Sequence, residues 1–200
     1  MNNFRFHAYT DIRFGKGQVE CLPELVCPYG KNILMVYGGG SIKKNGLYDK
    51  VKELLSDYNI IELSGIEPNP KIEKVREGAT LCKEHSIDVV LAVGGGSTID
   101  SAKVIAAGAY YDGDPWDLVT DSNNIKKVLP IVTILTLAAT GSEMNKNAVI
   151  SNMATNEKLG TSSHYFKPQA SICDPEYMYT LPAKQTAAGT ADIMSHIFEQ

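Results

Sequence analysis

An α/β fold, with a mostly parallel sheet and helices on both faces, is predicted by the alternation of short apolar runs with helix-patterned segments along the chain. The apolar runs are continuous and rich in β-branched residues, which is the pattern of strands buried on both faces. Two of them end in glycine: Gly38-Gly39-Gly40-Ser41 follows Asn32–Tyr37, and Gly94-Gly95-Gly96-Ser97 follows Asp88–Val93. Each glycine run leads into a helix-like stretch, where main-chain N–H groups uncovered by Cβ atoms can approach a phosphate. Two such loops point to one extended phosphorylated ligand, a dinucleotide.

Taken in order, Phe4–Phe14 alternates loosely and reads as a strand or hairpin arm. Asn32–Tyr37 is a buried strand, and Tyr48–Tyr58 a helix with Val51, Leu54, Leu55 and Tyr58 on one face. Ile60–Leu63 is a short strand, Glu67-Pro68-Asn69-Pro70 a rigid turn, and Lys71–His85 a helix that turns Ile72, Val75, Ala79 and Cys82 inward. Asp88–Val93 is a strand, and Ser97–Gly108 a helix of small residues able to lie close to the sheet. Asp112–Asn124 reads as a loop with one helical turn, and Val128–Leu135 as a further buried strand. Ala148–Ser151 and Ala170–Cys173 read as two strands joined by a polar segment. From Pro182 the pattern becomes helical, and Ile193, Met194, Ile197 and Phe198 recur at helical spacing up to Gln200 without a stop signal. The expected organisation is a dinucleotide-binding unit over residues 1–180 and the start of a helical unit over 181–200, within a longer protein.

Composition narrows the function classes. At 200 residues, 44% hydrophobic and 21% charged, the chain can bury a full core. Its net charge of −4 comes from interspersed acids and bases, which argues against nucleic acid as a partner. No apolar run approaches the roughly 20 residues needed to cross a bilayer. The four cysteines form no CxxC pair and follow no secretory signal, so a cytoplasmic location is expected.

Several short patterns carry chemistry. Neither glycine run matches GxGxxG, and each alone is equally consistent with a tight turn. In the second, Asp100 and Lys103 fall in the first turns of the helix; Asp100 there meets the helix dipole favourably and Lys103 reads as a solvated charge, or else the pyrophosphate lies over Gly95, Gly96 and Ser97. After the first run no acidic residue stands where it would accept from ribose hydroxyls; Ser41 and the nearby Lys43 and Lys44 suit a 2′-phosphate instead, which favours NADP over NAD. The alternative for both lysines is plain solvation of the first helix. Thr140-Gly141-Ser142-Glu143 suits a flat ring or ribose, or equally a helix cap with Thr140 or Ser142 as N-cap. Asp192 and His196, at i and i+4 on one helical face, can share a divalent cation or form a solvated pair.

Together Phe14–Gly17, Tyr37–Lys44, Glu67–Pro70, Gly94–Lys103, Leu135–Glu143, Asp174-Pro175 and Asp192-x-x-x-His196-x-x-Glu199-Gln200 make the chain similar to the N-terminal half of the iron-containing (group III) alcohol dehydrogenases, in the NADPH-dependent butanol dehydrogenase and aldehyde reductase branch. The resemblance implies a Rossmann-like fold, NADP(H), a divalent iron or zinc ion, a small aldehyde or alcohol substrate, and a homodimer. It assigns Gly39, Gly40 and Ser41 to the 2′-phosphate and Asn69 to the cofactor cleft. Gly95, Gly96, Ser97 and Asp100 fall to the pyrophosphate, Thr136, Thr140 and Ser142 to the nicotinamide and its ribose, and Lys158 to that ribose. Asp192 and His196 match the family's first two metal ligands. Two further histidines of the family's metal site have no counterpart in His7, His85 or His164. The alternatives are an NAD-dependent polyol or hydroxy-acid dehydrogenase and an inactive nucleotide-binding module.

Overall fold

The computed structural model describes residues 8–199. Six strands form one wholly parallel sheet: β1 (Asp11–Phe14), β2 (Asn32–Tyr37), β3 (Asn59–Leu63), β4 (Val89–Gly94), β5 (Ile131–Leu135) and β8 (Ala170–Cys173), in the order β1-β8-β5-β4-β2-β3. Because β2 passes to β3 on one side while β4 lies on the other, the strand order reverses between β2 and β4. Open α/β sheets bind ligands at such a point, outside the carboxyl ends of the strands. The register Tyr37↔Val93 brings both glycine runs to the rim side by side.

Both faces of the sheet are buried, which explains the continuous apolar runs. On one face Leu34, Val36, Val90 and Ala92 pack beneath α4 (Ile72–Glu84) and α5 (Gly96–Gly108). On the other, Ile33, Met35, Leu91 and Val93 meet Leu22 and Val26 of α1 (Leu22–Val26) and Leu47 and Val51 of α3 (Leu47–Leu54). Two short helices add to these layers: α2 (Ser41–Lys44) after the first glycine run places Ile42 on the α1/α3 face, and α6 (Pro115–Thr120) after α5 places Leu118 and Val119 on the α4/α5 face. Where α4 crosses α5, Gly78 is required by close approach: a Cβ there would lie 2.7 Å from Ile105 Cδ1 and 2.8 Å from Leu63 Cδ2.

Several elements differ from the sequence reading. The N-terminal arm is a strand only over Asp11–Phe14, paired in parallel with β8, while Phe4–His7 lies outside the described residues. The helix expected to reach Tyr58 ends at Leu54, yet Leu55 is still buried in the same core. The region read as a loop with one turn holds α6, whose first turn is capped by Asp114 accepting from Trp116 N at 3.0 Å. The segment around Ala148 does not join the main sheet. It is β6 (Asn147–Asn152), paired antiparallel with β7 (Glu157–Ser162) in a separate hairpin. β7 escapes sequence reading because its residues are mostly exposed and polar. After a 3₁₀ turn at Pro175–Met178, α7 spans Ala183–Phe198.

Overpacking a tight core typically costs about 1–3 kcal/mol. Gly78→Val is therefore expected to lower stability by that amount, read as a lower urea midpoint at unchanged slope, because the added methyls collide with Ile105 and Leu63.

Candidate functional site

A cleft of about 390 Å³ opens at the reversal of strand order, between the ends of β2 and β4. One wall is Gly38, Gly39 and Ser41, the floor is Gly94 to Thr98, and the far wall is Thr136 and Leu137. The first glycine run turns sharply because Gly40, at φ 106, occupies a conformation that side chains rarely adopt. The second starts α5 without a side-chain cap: Gly95 is the N-cap, and Thr98 N and Ile99 N return to Gly95 O. The N–H groups of the first turn, at Gly96 and Ser97, thus face the cleft as uncommitted donors at the positive end of a 13-residue helix. A Cβ at 96 would lie 2.5 Å from Thr140 Oγ1, so Thr140 would have to give way to any larger residue there.

Of the residues singled out from sequence, Gly39, Ser41, Gly95, Gly96, Ser97 and Thr136 line this one cleft. Gly40 lies between the lining residues Gly39 and Ser41, and Thr140 adjoins the cleft through its contact with Gly96. Lys43 turns toward the aromatic rings of Tyr48 and Tyr37, with Nζ 4.5 and 5.4 Å from their centroids, and does not line the cleft. Tyr48 and Tyr37 donate to Glu62 at 2.7 and 2.8 Å, and the bond to Glu62 pushes the Tyr48 phenol up to about 12. Asn69 and Lys158 meet each other at 2.6 Å, outside the lining. Asn69 sits at φ 56 between two prolines, and Ser151 N donates to Pro70 O at 2.8 Å, so the β6–β7 hairpin docks on this turn. Residues not anticipated in the lining include Asn45, Glu67, Tyr177 and Gln185. Glu67 belongs to the motif whose Asn69 the resemblance assigned to the cleft, and it is Glu67 that lines it; its carboxylate is held by Lys71 at 2.6 Å.

Ser142 and Asp100 do not face the cleft. Ser142 is buried, its hydroxyl donating to Asp100 Oδ1 at 2.5 Å while accepting from Lys103 Nζ at 2.9 Å. Asp100 also accepts from Val149 N at 3.0 Å. No helix begins at Thr140, so the capping alternative fails; Met144 N and Asn145 N instead close a turn on Gly141 O. Lys103 is not the solvated charge its helix position indicated. Its side chain is 0% exposed, and Nζ also donates to Asn145 O (3.1 Å), Asn145 Oδ1 (2.9 Å) and Asn147 O (2.8 Å). Burying an ammonium costs several kcal/mol, and hydrogen bonds to a charged group return about 1.5–3 kcal/mol each, so this set of acceptors is what makes the burial tolerable. Burial still pushes the Lys103 amine down to about 8 and raises the Asp100 carboxyl.

Gln185, in the first turn of α7, also reaches the cleft. Asp192 lies two helical turns further, roughly 10 Å along the axis. Its Oδ2 is shut off from solvent without a hydrogen-bond partner and stands 3.8 Å from His196 Nε2. One orphaned oxygen beside one imidazole nitrogen fits two ligands of a divalent cation. Among the described residues no cluster of three His, Cys, Asp or Glu gathers to complete such a site.

Comparison with known proteins gives the chain's relatives. The sequence model of the family described as iron-containing alcohol dehydrogenase matches residues 10–175. The chain is 56% identical over its whole length to NADH-dependent butanol dehydrogenase A of Clostridium acetobutylicum, covering 52% of that protein. It is 43% identical, again over its whole length, to the NADPH-dependent aldehyde reductase YqhD of Escherichia coli, covering 52% of it. The crystal structure of NADH-dependent butanol dehydrogenase A from Thermotoga maritima superposes with a TM-score of 0.94 at 48% identity, over 100% of this chain and 51% of that one. The chain thus spans about half the length of the curated relatives it matches.

Lys103 carries a pH signature. With its folded pKa below the unfolded value, the unfolded chain binds more protons from about pH 8 up to the ordinary lysine range, so this group's contribution to stability rises with pH across that window. The stability difference between wild type and Lys103→Met should therefore grow in favour of wild type between pH 8 and pH 10. Urea midpoints measured at both pH values check the sign.

Proposed function

Because the chain belongs to the iron-containing alcohol dehydrogenase family, we propose that its cleft binds NADPH for hydride transfer to a small aldehyde, giving a primary alcohol, and for the reverse reaction. The observation that carries this reading is the single cleft lined by both glycine runs, with the uncapped first turn of α5 as its floor. In that reading Gly95, Gly96 and Ser97 hold the pyrophosphate through main-chain donors, and Thr136 and Thr140 flank the nicotinamide end. Gly39, Gly40 and Ser41 receive the adenosine end, with Lys43 held above Tyr48 beside them. Lys158 and Asn69 brace the hairpin edge of the cleft. Asp100 and Ser142 act from beneath, through the loop they hold.

Asp192 and His196 supply an oxygen and a nitrogen ligand to a divalent ion, iron or zinc. When bound, that ion supplies a Lewis acid for the substrate oxygen. The carboxylate and imidazole would hold it from α7, while Thr136 and Thr140 flank the nicotinamide end of the cleft. This division makes residues 1–180 the nucleotide-binding unit and 181–200 the beginning of a helical metal-binding unit. The outer edge of β1, with Ile12 and Phe14 exposed, suits a homodimer contact in a cytoplasmic protein with free thiols.

NADH is the second reading, favoured by the names of the relatives at 56% and 55% identity, both NADH-dependent butanol dehydrogenases. Titration separates the two. A hydrogen bond to a charged group is worth about 1.5–3 kcal/mol, so Ser41→Ala is expected to weaken NADPH binding about tenfold or more and leave NADH binding unchanged. Unchanged NADPH affinity in Ser41→Ala ends the 2′-phosphate assignment, and tighter wild-type binding of NADH than of NADPH favours NADH. Independently, Asp192→Ala is expected to reduce bound iron or zinc, measured by elemental analysis after dialysis, without altering nucleotide affinity. Parallel loss of both would break the separation of roles.

A further inference from the structure

Beyond Leu137 the far wall of the cleft continues into residues 138–146, which form neither helix nor strand. The backbone holds this segment at few points: Met144 N and Asn145 N close on Gly141 O, and Ser163 N donates to Lys146 O. Side chains hold the rest. Ser171 Oγ donates to Glu143 O at 2.6 Å, and Asn145 Nδ2 to Thr140 O at 3.2 Å. The largest share converges on one atom, Lys103 Nζ, which reaches Ser142, Asn145 and Asn147 from the buried side of α5. Asp100, one turn earlier on the same helix, accepts from the Ser142 hydroxyl and from the N–H of Val149 in β6. Through these two side chains α5 is stapled to the loop and to the hairpin.

The outcome at the cleft is the place of Thr140. Its hydroxyl lies against Gly96, close enough that a Cβ at 96 would be 2.5 Å away. Thr140 is itself exposed and is positioned only by its neighbours, one of which, Asn145, is fixed by the ammonium. An apolar residue at 103 would fill the volume without holding the loop. A lysine ammonium is compact, with three rotatable donors that can point at several acceptors around one atom, whereas the five donors of arginine are fixed in a planar fork.

We propose that Lys103 is a positioning residue of the nucleotide site, clamping residues 140–147 so that Thr140 stands over the first turn of α5 before the dinucleotide arrives. This rests on the nucleotide reading above. Preformed walls raise affinity by removing the ordering penalty from the binding step.

The test titrates NADPH and NADH into wild type, Lys103→Met, Asn145→Ala and Cys82→Ala. Cys82 is buried in α4 away from the loop, so its truncation lowers stability without touching the clamp. Expected results are a loss of about tenfold or more in nucleotide affinity for Lys103→Met, about threefold for Asn145→Ala, and less than about twofold for Cys82→Ala. Amide exchange at Ser142 to Asn145 should accelerate about a hundredfold in Lys103→Met but not in Cys82→Ala. Wild-type affinity in Lys103→Met overturns the proposal, as does an equal loss in Cys82→Ala. If Lys103→Met does not fold, wild-type affinity in Asn145→Ala overturns it. Wild type that binds neither dinucleotide ends the nucleotide reading itself, and the proposal with it.

Discussion

The cleft depends on β2 and β4 lying side by side in parallel register. Chain order alone would place β3 between them; instead the chain leaves β2 for one side and reaches β4 on the other. Only that arrangement puts the two glycine runs abreast, and only the observed register puts them at one height. A one-residue slip would turn each strand's two faces over, exchanging the side chains that meet α4 and α5 for those that meet α1 and α3. Because both faces are fully packed, the register is held by the whole core rather than by the loops it positions.

In the proposed reading, a chain of net charge −4 would receive a phosphorylated ligand through local donors rather than through its overall charge. Here the donors are main-chain N–H groups at the start of α5 and around Gly39 and Gly40, and the nearby carboxylates are already engaged. Glu67 is paired with Lys71, and Glu62 accepts from two tyrosines and Lys52. The field at the cleft is therefore set by helix dipole and fixed amides, which act locally whatever the net charge.

Much of this was legible in the sequence. The strands before the glycine runs, the helices between them and the buried faces of α4 follow from local pattern, since the same residues fix secondary structure and core. β7 was not legible, because an exposed polar hairpin strand carries no apolar period. Nor was the destination of Lys103 and Asp100. Their i,i+3 spacing on α5 is that of many solvated pairs, and only tertiary structure shows that α5 is buried almost all round, so that any charge on it must find partners inside. The cleft residues Tyr177 and Gln185 were hidden for a related reason: they come from segments distant in sequence that the fold returns to the rim of β2 and β4.

The last constraint is the seat of α7. Gly189 is the one buried residue of this helix, and a Cβ there would lie 2.8 Å from Ala138 O, with Leu137 and Ala139 beside it. The turn that α7 touches is thus the turn that continues the cleft wall from Thr136. Asp192 follows Gly189 by three residues, roughly 4.5 Å along the axis. The separation between the cleft wall and the Asp192–His196 pair therefore depends on the close approach of Gly189 to the Ala138 carbonyl. A larger residue at 189 would lift α7 off that carbonyl and move the carboxylate and imidazole together, leaving their mutual geometry intact while misplacing both relative to the cleft.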